Sequence, residues 1–435
     1  MDLLFKGACL IRCTDPPSVG VADFRVMNGR ITEIGEDLAA KQSTVLPMNG
    51  RWIFPGFVQS HIHLCQTLFR GMAEDRALLE WLGERIWPLE AAHDFESAYL
   101  SARLGIAELL LGGTTAFLDM GTLNHTNGLF IASEEAGVRA TIGRALMDRP
   151  NPAGLHASHE KNLAGACEEA DRWHGIGRLR YAFSPRFVPS CSEELLKNTL
   201  AEARKRDALI HTHASENTSE IALVREMTGY DNIEYFDSIG MLGSDVALAH
   251  CIHLSPSEMT LLGSSGTRVL HCPSSNMKLA SGIAPLPELL RAGAHVSMGA
   301  DGAPCNNRLD AFSEMRKAGL LQSLRLGPGH LSAATILEMM TIRGAEALGI
   351  ADDVGSLEVG KAADFVVVDA NHPSLIGTAD PVQQLVYAAG PENVESVYIA
   401  GQRKVHKGTL ENWGPALDYE LLRTAAKKVQ ERASL

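Results

Sequence analysis

Residues 55–66 read PGFVQSHIHLCQ. In this stretch a short apolar run, which begins at Phe57, leads into two histidines separated by one residue, His61 and His63. Alternate side chains of an extended strand point to the same side, so the two imidazoles share one face. The stretch therefore predicts a buried β-strand that ends in a pair of candidate metal ligands.

The pattern that starts here repeats along the chain to about residue 350. Short apolar runs alternate with longer stretches, such as 98–111, 192–205 and 309–324, whose apolar residues recur at three- and four-residue spacing. This order is typical of a parallel sheet with crossover helices. The eight predicted strands are residues 53–59, 114–119, 140–146, 179–183, 208–212, 246–249, 268–271 and 295–299. Eight strand–helix repeats predict an α/β fold, a distorted (β/α)8 TIM barrel.

Both ends of the chain carry a β pattern instead. Two short strand-like runs flank Asn28-Gly29, a dipeptide typical of two-residue hairpins, and residues 365–369 and 394–399 again resemble strands. We expect the two ends to combine into one small β-sandwich. The predicted domains are residues 1–56 (first part of the sandwich), 57–354 (metal-dependent barrel) and 355–435 (second part of the sandwich and a packing helix at 415–429).

Composition limits the classes of function. The chain has 435 residues, of which 45% are hydrophobic and 21% charged, as is usual for globular proteins. A formal net charge of -13 repels phosphate backbones and anionic membrane surfaces, so we expect neither nucleic acid nor a membrane as partner. The eight cysteines form no CxxC pair. We predict a cytoplasmic homo-oligomer, a dimer or tetramer, with reduced thiols.

Polar residues recur where the predicted strands end, and this rim carries the active site of a TIM barrel. The fifth strand ends in His211 and His213, the sixth in His250 and the eighth in Asp301. Each residue alone has a structural explanation, since a histidine can be a hydrogen-bonded core residue and an aspartate before glycine can make a turn. Together with the first strand they favour one shared site.

The residue types at this rim indicate a metal. Imidazoles with one carboxylate suit Zn²⁺ or Fe²⁺, and an open position for water would remain, whose pKa such a metal lowers towards about 7. We predict a divalent cation, Zn²⁺ or Fe²⁺. The predicted ligands are His61, His63, His213 and Asp301.

Two further residues of the fifth strand and its loop have predicted roles. Glu216 lies three residues after His213 and is the predicted proton carrier. The alternative is that Glu216 caps or solvates the helix that begins near Thr218. His211 shares a face with His213 but lies one layer deeper, so we interpret it as a supporting or core residue.

These residues resemble the amidohydrolase superfamily, in particular the branch of methylthioadenosine/S-adenosylhomocysteine deaminases and triazine hydrolases. The resemblance covers essentially the whole chain. It is carried by PGFV before the HxH pair, LLEWLGERIWPLE at 78–90, HASE at 213–216, His250, HCPSSN at 271–276, GADG at 299–302 and GSLEVGKAAD at 355–364. The resemblance implies the same metal ligands, Glu216 as proton shuttle and His250 as a partner of the metal-activated water. Relatives with two metals generally carry a carboxylated lysine on strand four; here 181–184 read YAFS, so one metal is expected.

The resemblance also implies three substrate-binding residues, which disagree about the substrate. Glu90 matches a glutamate that holds the ribose hydroxyls of adenosine-like substrates. Arg186 stands where nucleoside deaminases carry histidine and looks more like guanine deaminases, and Gln66 is typical of purine-base and triazine members. Whether Arg186 and Glu90 contact substrate or each other stays open.

The predicted reaction is hydrolytic deamination of an aminated N-heterocycle, a purine base or an adenosine-type nucleoside, with release of ammonia. Water activated by the metal attacks the carbon that bears the amine, while Glu216 protonates the adjacent ring nitrogen. Asp301 takes the proton of the water and His250 steadies the oxyanion. Two alternatives stay open: hydrolysis of a C–Cl or substituted-amine bond on a triazine, and a non-enzymatic scaffold protein.

Overall fold

The computed structural model describes residues 2–14, 17–377 and 380–435. The chain divides into two compact units. One comprises Met1–Ser60, Ala107–Phe117 and Asp310–Gly414, and the other comprises His61–Ile106, Leu118–Leu309 and Pro415–Leu435. The domain boundaries given above, at 1–56, 57–354 and 355–435, stay a prediction.

The described strands form two sheets, one of nine strands and one of ten. In chain order they are β1 (Asp2–Ile11), β2 (Val19–Met27), β3 (Arg30–Gly35), β4 (Thr44–Pro47), β5 (Arg51–Pro55), β6 (Phe57–His63), β7 (Thr114–Met120), β8 (Arg139–Gly143), β9 (Ala145–Leu146), β10 (Leu179–Pro185), β11 (Leu209–Ala214), β12 (Val246–His250), β13 (Arg268–His271), β14 (His295–Met298), β15 (Asp301–Gly302), β16 (Phe365–Asp369), β17 (Val394–Ile399), β18 (Gln402–His406) and β19 (Thr409–Leu410).

The nine-stranded sheet is built from both chain ends, as predicted. Its order is β19-β18-β17-β16-β5-β1-β2-β3, with β4 beside β1, and the antiparallel pair β5–β16 joins the N-terminal strands to the C-terminal ones. The predicted hairpin turn connects β2 to β3, where Asn28 and Gly29 have φ of 49° and 79°. Positive φ at both turn residues is the geometry that favours Asn-Gly in tight hairpins.

An aromatic cluster fills the core of this sheet. Phe5 stacks on Phe24 with ring centroids 4.6 Å apart, and Phe365 stacks on Tyr398 at the same distance. Phe5 meets Phe365 edge to face at 5.1 Å. Edge-to-face and offset stacks are the favoured arrangements of aromatic pairs, so this cluster stabilises the union of the two chain ends.

The ten-stranded sheet is the predicted distorted (β/α)8 barrel. Its order is β14-β13-β12-β11-β10-β8-β7-β6-β15, with β9 beside β10, and strands β8 to β14 run parallel to one another. The chain passes from β14 into β15, which pairs with β6 so that Asp301 lies opposite Ile62. The last strand therefore closes onto the first and brings Asp301 beside the two histidines of β6.

Two predicted strands are wrong in their extent, because β8 and β9 replace 140–146 and two strands also replace 53–59. The end sheet takes β5 up to Pro55, and the barrel takes β6 from Phe57. Gly56 separates them: a β-carbon there would lie 2.1 Å from Thr115 Oγ1, so only glycine fits this approach. The Gly56 N–H donates to the carbonyl of Asp364 at 3.1 Å.

Helices alternate with the barrel strands, and α3, α6, α13 and α17 correspond to the stretches predicted as helices. The described α-helices are α1 (Leu78–Trp81), α2 (Trp87–Ala91), α3 (Phe95–Leu111), α4 (Thr126–Ala136), α5 (His159–Trp173), α6 (Glu193–Lys205), α7 (Thr218–Thr228), α8 (Asn232–Ser238), α9 (Pro256–Ser265), α10 (Pro273–Lys278), α11 (Leu286–Arg291), α12 (Ala303–Asn306), α13 (Ala311–Leu326), α14 (Ala333–Met340), α15 (Ile342–Ala347), α16 (Pro381–Tyr387) and α17 (Tyr419–Arg432). Leu64–Phe69 forms a 3-10 helix and Leu82–Ile86 a π-helical turn. Within the described ranges, no helix is both long enough and apolar enough to cross a membrane.

Candidate active site

Four side chains meet at the carboxyl ends of β6 and β11 and at the start of β15, just after β14, and we call them the metal centre: His61, His63, His213 and Asp301. One ring nitrogen from each histidine lies within 4.8 Å of the other two. Asp301 Oδ1 is 3.5 Å from His61 Nε2 and 3.4 Å from His63 Nε2. The structure thus brings together all four residues that the sequence predicted as ligands.

The second nitrogen of each histidine is held by a neighbour. His61 Nδ1 is 2.7 Å from His211 Nε2, His63 Nδ1 donates to the carbonyl of Met120 at 2.7 Å, and His213 Nδ1 donates to the carbonyl of Arg186 at 2.6 Å. A hydrogen on each Nδ1 leaves the lone pair of Nε2 for a cation, which is the usual arrangement of metal-binding histidines. His211 therefore supports His61.

The metal centre fits a divalent cation of borderline softness. His61 Nε2 is buried and has no hydrogen-bond partner among the residues that the structure describes. Burial holds the pKa of His61 below its ordinary value and lowers that of His63 to about 4, so both rings are neutral and able to act as ligands. Burial would raise the pKa of Asp301, but its close approach to His61, His63 and His250 lowers the pKa, so the carboxyl group is ionised. Neutral imidazoles with a carboxylate match the donors of zinc and similar metals.

Glu216 and His250 face the metal centre from one side. Glu216 Oε2 is 3.5 Å from His250 Nε2, which is 3.8 Å from Asp301 Oδ2. Burial, followed by the charge of Asp301, raises the pKa of Glu216 well above its ordinary value. His250 Nδ1 donates to Asn276 Oδ1 at 2.9 Å, which leaves Nε2 directed at the two carboxyl groups. Glu216 is therefore a carboxyl group that holds a proton beside an ionised one.

Other residues, and not Glu216, cap the helix that follows. Helix α7 begins with a capping box in which Asn217 accepts from the first turn and Glu220 reaches back. Glu220 Oε2 accepts the backbone N–H of Glu216 itself at 2.8 Å. The Glu216 carboxyl is thereby left for the pocket.

Three non-glycine residues at the site have left-handed backbone geometry: Ser215, His250 and Asp301, with φ of 52°, 76° and 62°. Such conformations cost on the order of 1 kcal/mol each and concentrate at functional sites. At Asp301 the strain is partly offset, because its own carboxylate accepts the N–H of Gly302 at 2.7 Å. The sequence carried no signal for the strain at His250.

Gln66, Glu90 and Arg186 form one hydrogen-bonded group, which we call the polar wall. Arg186 Nη1 donates to Glu90 Oε2 at 2.6 Å and its Nη2 donates to Glu90 Oε1 at 3.2 Å. Gln66 Nε2 donates to Glu90 Oε1 at 2.8 Å. All three side chains are buried. Burial would raise the pKa of Glu90, but the Arg186 charge and these hydrogen bonds lower it, so the carboxylate is ionised.

A pocket lies between the metal centre and the polar wall. The space between its lining side chains, including the part open to solvent, is about 380 Å³. Its apolar lining was not predicted from the sequence, although most of it belongs to the quoted segment 78–90. The apolar lining consists of Leu78, Trp81, Leu82, Phe187 and Leu279.

Asp119, at the end of β7, was also not assigned from the sequence. Its Oδ1 accepts the N–H of Leu64 at 2.6 Å and so secures the turn that follows His63. Burial raises its pKa to about 8. Its position at the end of a predicted strand was the available signal, since polar residues at strand ends mark the functional rim of a barrel.

Comparison with known proteins places this geometry in a family, because residues 52–404 match the Amidohydrolase family. The chain belongs to the amidohydrolase family. It is 38% identical over 410 residues to 5'-deoxyadenosine deaminase of Methanothermobacter thermautotrophicus, and the alignment covers 93% of this chain and 94% of that protein. It is 36% identical over 405 residues to 5-methylthioadenosine/S-adenosylhomocysteine deaminase of Syntrophobacter fumaroxidans, with 92% of each chain covered.

A solved structure shows the same architecture as this amidohydrolase. An adenosine deaminase from Xanthomonas campestris with bound zinc superposes with a TM-score of 0.90 at 31% identity, covering 100% of this chain and 98% of that chain. The amidohydrolase described here is therefore similar over its whole length to a metal-binding relative.

Proposed function

We propose that this amidohydrolase is a metal-dependent deaminase of adenosine-type nucleosides, with 5'-deoxyadenosine and related 5'-modified adenosines as its substrates. The observation that carries the proposal is a pocket beside the metal centre whose lining includes Gln66 and Arg186, the two residues that hold the ionised carboxylate of Glu90. The metal centre suits hydrolysis, and the carboxylate suits the hydroxyl groups of a ribose. The names of the three relatives, all adenosine-type deaminases, support this substrate class.

The resident cation is proposed to be a single Zn²⁺. It would be held by His61, His63, His213 and Asp301, and the zinc bound in the Xanthomonas campestris relative supports this identity. When bound, such a cation supplies a water molecule that ionises near neutral pH and polarises the reacting carbon–nitrogen system.

Two carboxyl groups move the protons, one of raised pKa and one that is ionised. Glu216, whose pKa is raised, delivers its proton to the ring nitrogen next to the carbon that bears the amine. Asp301, which is ionised, accepts the proton of the hydrolytic water. His250 stands between them and steadies the oxygen that becomes the oxo group. Glu216 next takes the proton of the added hydroxyl group and passes it to the amine, which leaves as ammonia as the C–N bond breaks and the carbonyl forms. The proton held by Asp301 then restores Glu216.

Glu90 is proposed to bind the ribose, and Arg186 to act through Glu90. An ionised carboxylate only accepts hydrogen bonds and has about four lone-pair sites. Arg186 and Gln66 together occupy three of these sites on Glu90. The remaining acceptor capacity suits a donating hydroxyl group. The bidentate pair with Glu90 uses the guanidinium of Arg186, which argues against direct recognition of a purine-base oxygen. The apolar lining suits the purine ring and an apolar 5' substituent.

A substrate panel tests the proposal. Ammonia release by the zinc-loaded enzyme is measured with 5'-deoxyadenosine, 5'-methylthioadenosine, adenosine, adenine, guanine and a chlorotriazine. We expect the three nucleosides to have the highest kcat/KM. A preference for guanine would favour base recognition by Arg186, chloride release from the triazine would favour the triazine alternative, and inactivity on every compound would favour a scaffold role.

A further inference from the structure

We propose that His93 and the C-terminal helix α17 position the polar wall, so that His93 is a positioning residue for the ribose of the substrate. The proposal rests on the proposed function and extends it to residues outside the pocket lining. Two sets of contacts carry it, one apolar and one polar, and both converge on the segments that hold Gln66 and Glu90.

The apolar contacts come from one face of α17. Leu422, Ala425 and Val429 are buried in a cluster with Leu68, Phe69 and Leu89. Leu68 lies two residues after Gln66, and Leu89 directly precedes Glu90. The backbone segments that carry Gln66 and Glu90 are therefore packed against α17 through the side chains of nearby residues. Packed side chains resist displacement, because shifting them opens voids that lose dispersion contacts.

The polar contacts run through His93. Its Nε2–H donates to the carbonyl of Cys65 at 2.7 Å, and Ser97 Oγ lies 3.0 Å from its Nδ1. The ring stacks on Phe69 with centroids 5.0 Å apart. Cys65 immediately precedes Gln66, so His93 fixes the peptide from which Gln66 reaches Glu90. Ser101 Oγ also donates to the Cys65 carbonyl, at 2.9 Å, and shares this role.

An ion pair connects α17 to the same network. Arg432, at the end of α17, pairs with Asp94, and its Nη2 is 3.4 Å from Ser97 Oγ. Asp94 Oδ1 accepts the N–H of Ser97 at 2.8 Å. A continuous path of contacts therefore leads from Arg432 through Ser97 and His93 to the residue before Gln66. Burial lowers the pKa of His93 to about 4, so the ring is neutral, and its Nδ1 contacts the Ser97 hydroxyl, which also donates to Asp94 Oδ1 at 2.7 Å.

The polar path ends at the residue before Gln66, and the apolar contacts reach the residue before Glu90. Neither set contains any of the four residues of the metal centre. Loosening these contacts should therefore weaken binding of the ribose and leave the chemical step intact. In kinetic terms KM rises while kcat is unchanged, which is the signature of losing uniform binding. The change should disappear for a nucleoside that lacks the hydroxyls which Glu90 binds.

The experiment compares His93→Leu, His93→Gln and the wild type, all zinc-loaded, on adenosine and on 2',3'-dideoxyadenosine. His93→Leu removes the donor to Cys65, whereas the amide of His93→Gln can restore it. We expect His93→Leu to raise KM for adenosine by about tenfold with kcat within about twofold, and to leave KM for the dideoxynucleoside and the zinc content unchanged. His93→Gln should recover most of the loss.

A surface variant keeps the test decisive if His93→Leu fails to fold. Arg432→Met removes the partly exposed ion pair with Asp94 and should give the same selective effect on adenosine, smaller in size. Equal changes for both nucleosides, a fall in kcat alone, or no change in either variant would overturn the positioning role. Inactivity of the wild type on both nucleosides would instead overturn the proposed function, and this inference with it.

Discussion

Replacing Arg186 by methionine should leave the buried carboxylate of Glu90 without its counter-ion. The charge of Glu90 should then lower the stability of the fold instead of raising it. In the wild type the Glu90 carboxylate, 1% exposed, accepts two hydrogen bonds from Arg186 and one from Gln66. Arg186→Met leaves the carboxylate buried with the Gln66 hydrogen bond alone. Removing one partner of a buried ion pair typically costs about 3–5 kcal/mol, and we expect a loss in this range near neutral pH.

The sign of the pH dependence makes this prediction specific. In the wild type the pKa of Glu90 is lowered, so the stability it contributes is present above its unfolded pKa of about 4.3 and is lost as the pH falls. In the variant the pKa of Glu90 should be raised by burial without its counter-ion. The folded variant then binds the proton more tightly than the unfolded chain does and loses stability as the pH rises above about 4.3.

The assay is urea unfolding of both zinc-loaded proteins between pH 5 and pH 7, reported as the difference in free energy of unfolding. The difference should widen as the pH rises. The double variant Arg186→Met/Glu90→Gln, which removes both charges, should recover most of the stability but not the nucleoside affinity. A difference that is absent, or that narrows towards neutral pH, would refute the assignment of Arg186 and Glu90 as a structural ion pair.

Three further predictions concern single side chains. Glu216→Gln should keep its zinc, measured by elemental analysis, and lose about 100-fold or more in kcat, because a proton carrier is removed; loss of the metal would mean that Glu216 supports the centre structurally. Glu90→Gln should reduce kcat/KM for adenosine by about 10- to 150-fold, the value of one charge-assisted hydrogen bond, with a much smaller effect on 2',3'-dideoxyadenosine; equal losses on both nucleosides would contradict a ribose contact. His211→Phe should weaken zinc binding by about 10- to 100-fold in a chelator competition, because His61 loses the partner of its Nδ1, whereas unchanged affinity would make His211 a packing residue only.

Much of the fold and of the metal centre could be predicted because both depend on local rules. The two-residue period of a strand sets His61 and His63 on one face, and the strand ends of a barrel share one rim, so the sequence positions of His213 and Asp301 were informative. The Asn28-Gly29 turn is equally local, since only residues that tolerate positive φ fit it.

The features that escaped prediction depend on distant parts of the chain. Arg186 and Glu90 are separated by 96 residues. Whether Arg186 contacts the substrate or the Glu90 carboxylate depends on side-chain geometry, which cannot be read from the spacing of residues in the sequence. The break at Gly56 arises from the approach of Thr115, and the strained backbone of His250 arises from its surroundings rather than from its neighbours in sequence. The role of His93 likewise depends on the packing of α17.

The most direct test of a one-metal nucleoside deaminase is the titration of metal-free enzyme with Zn²⁺ while ammonia release from 5'-deoxyadenosine is measured. We expect no activity without metal and a linear rise that saturates at about one zinc per chain, with one ammonia formed for each nucleoside consumed. Full activity in the presence of chelator, saturation only at two metals per chain, or consumption of the nucleoside without ammonia would contradict the mechanism.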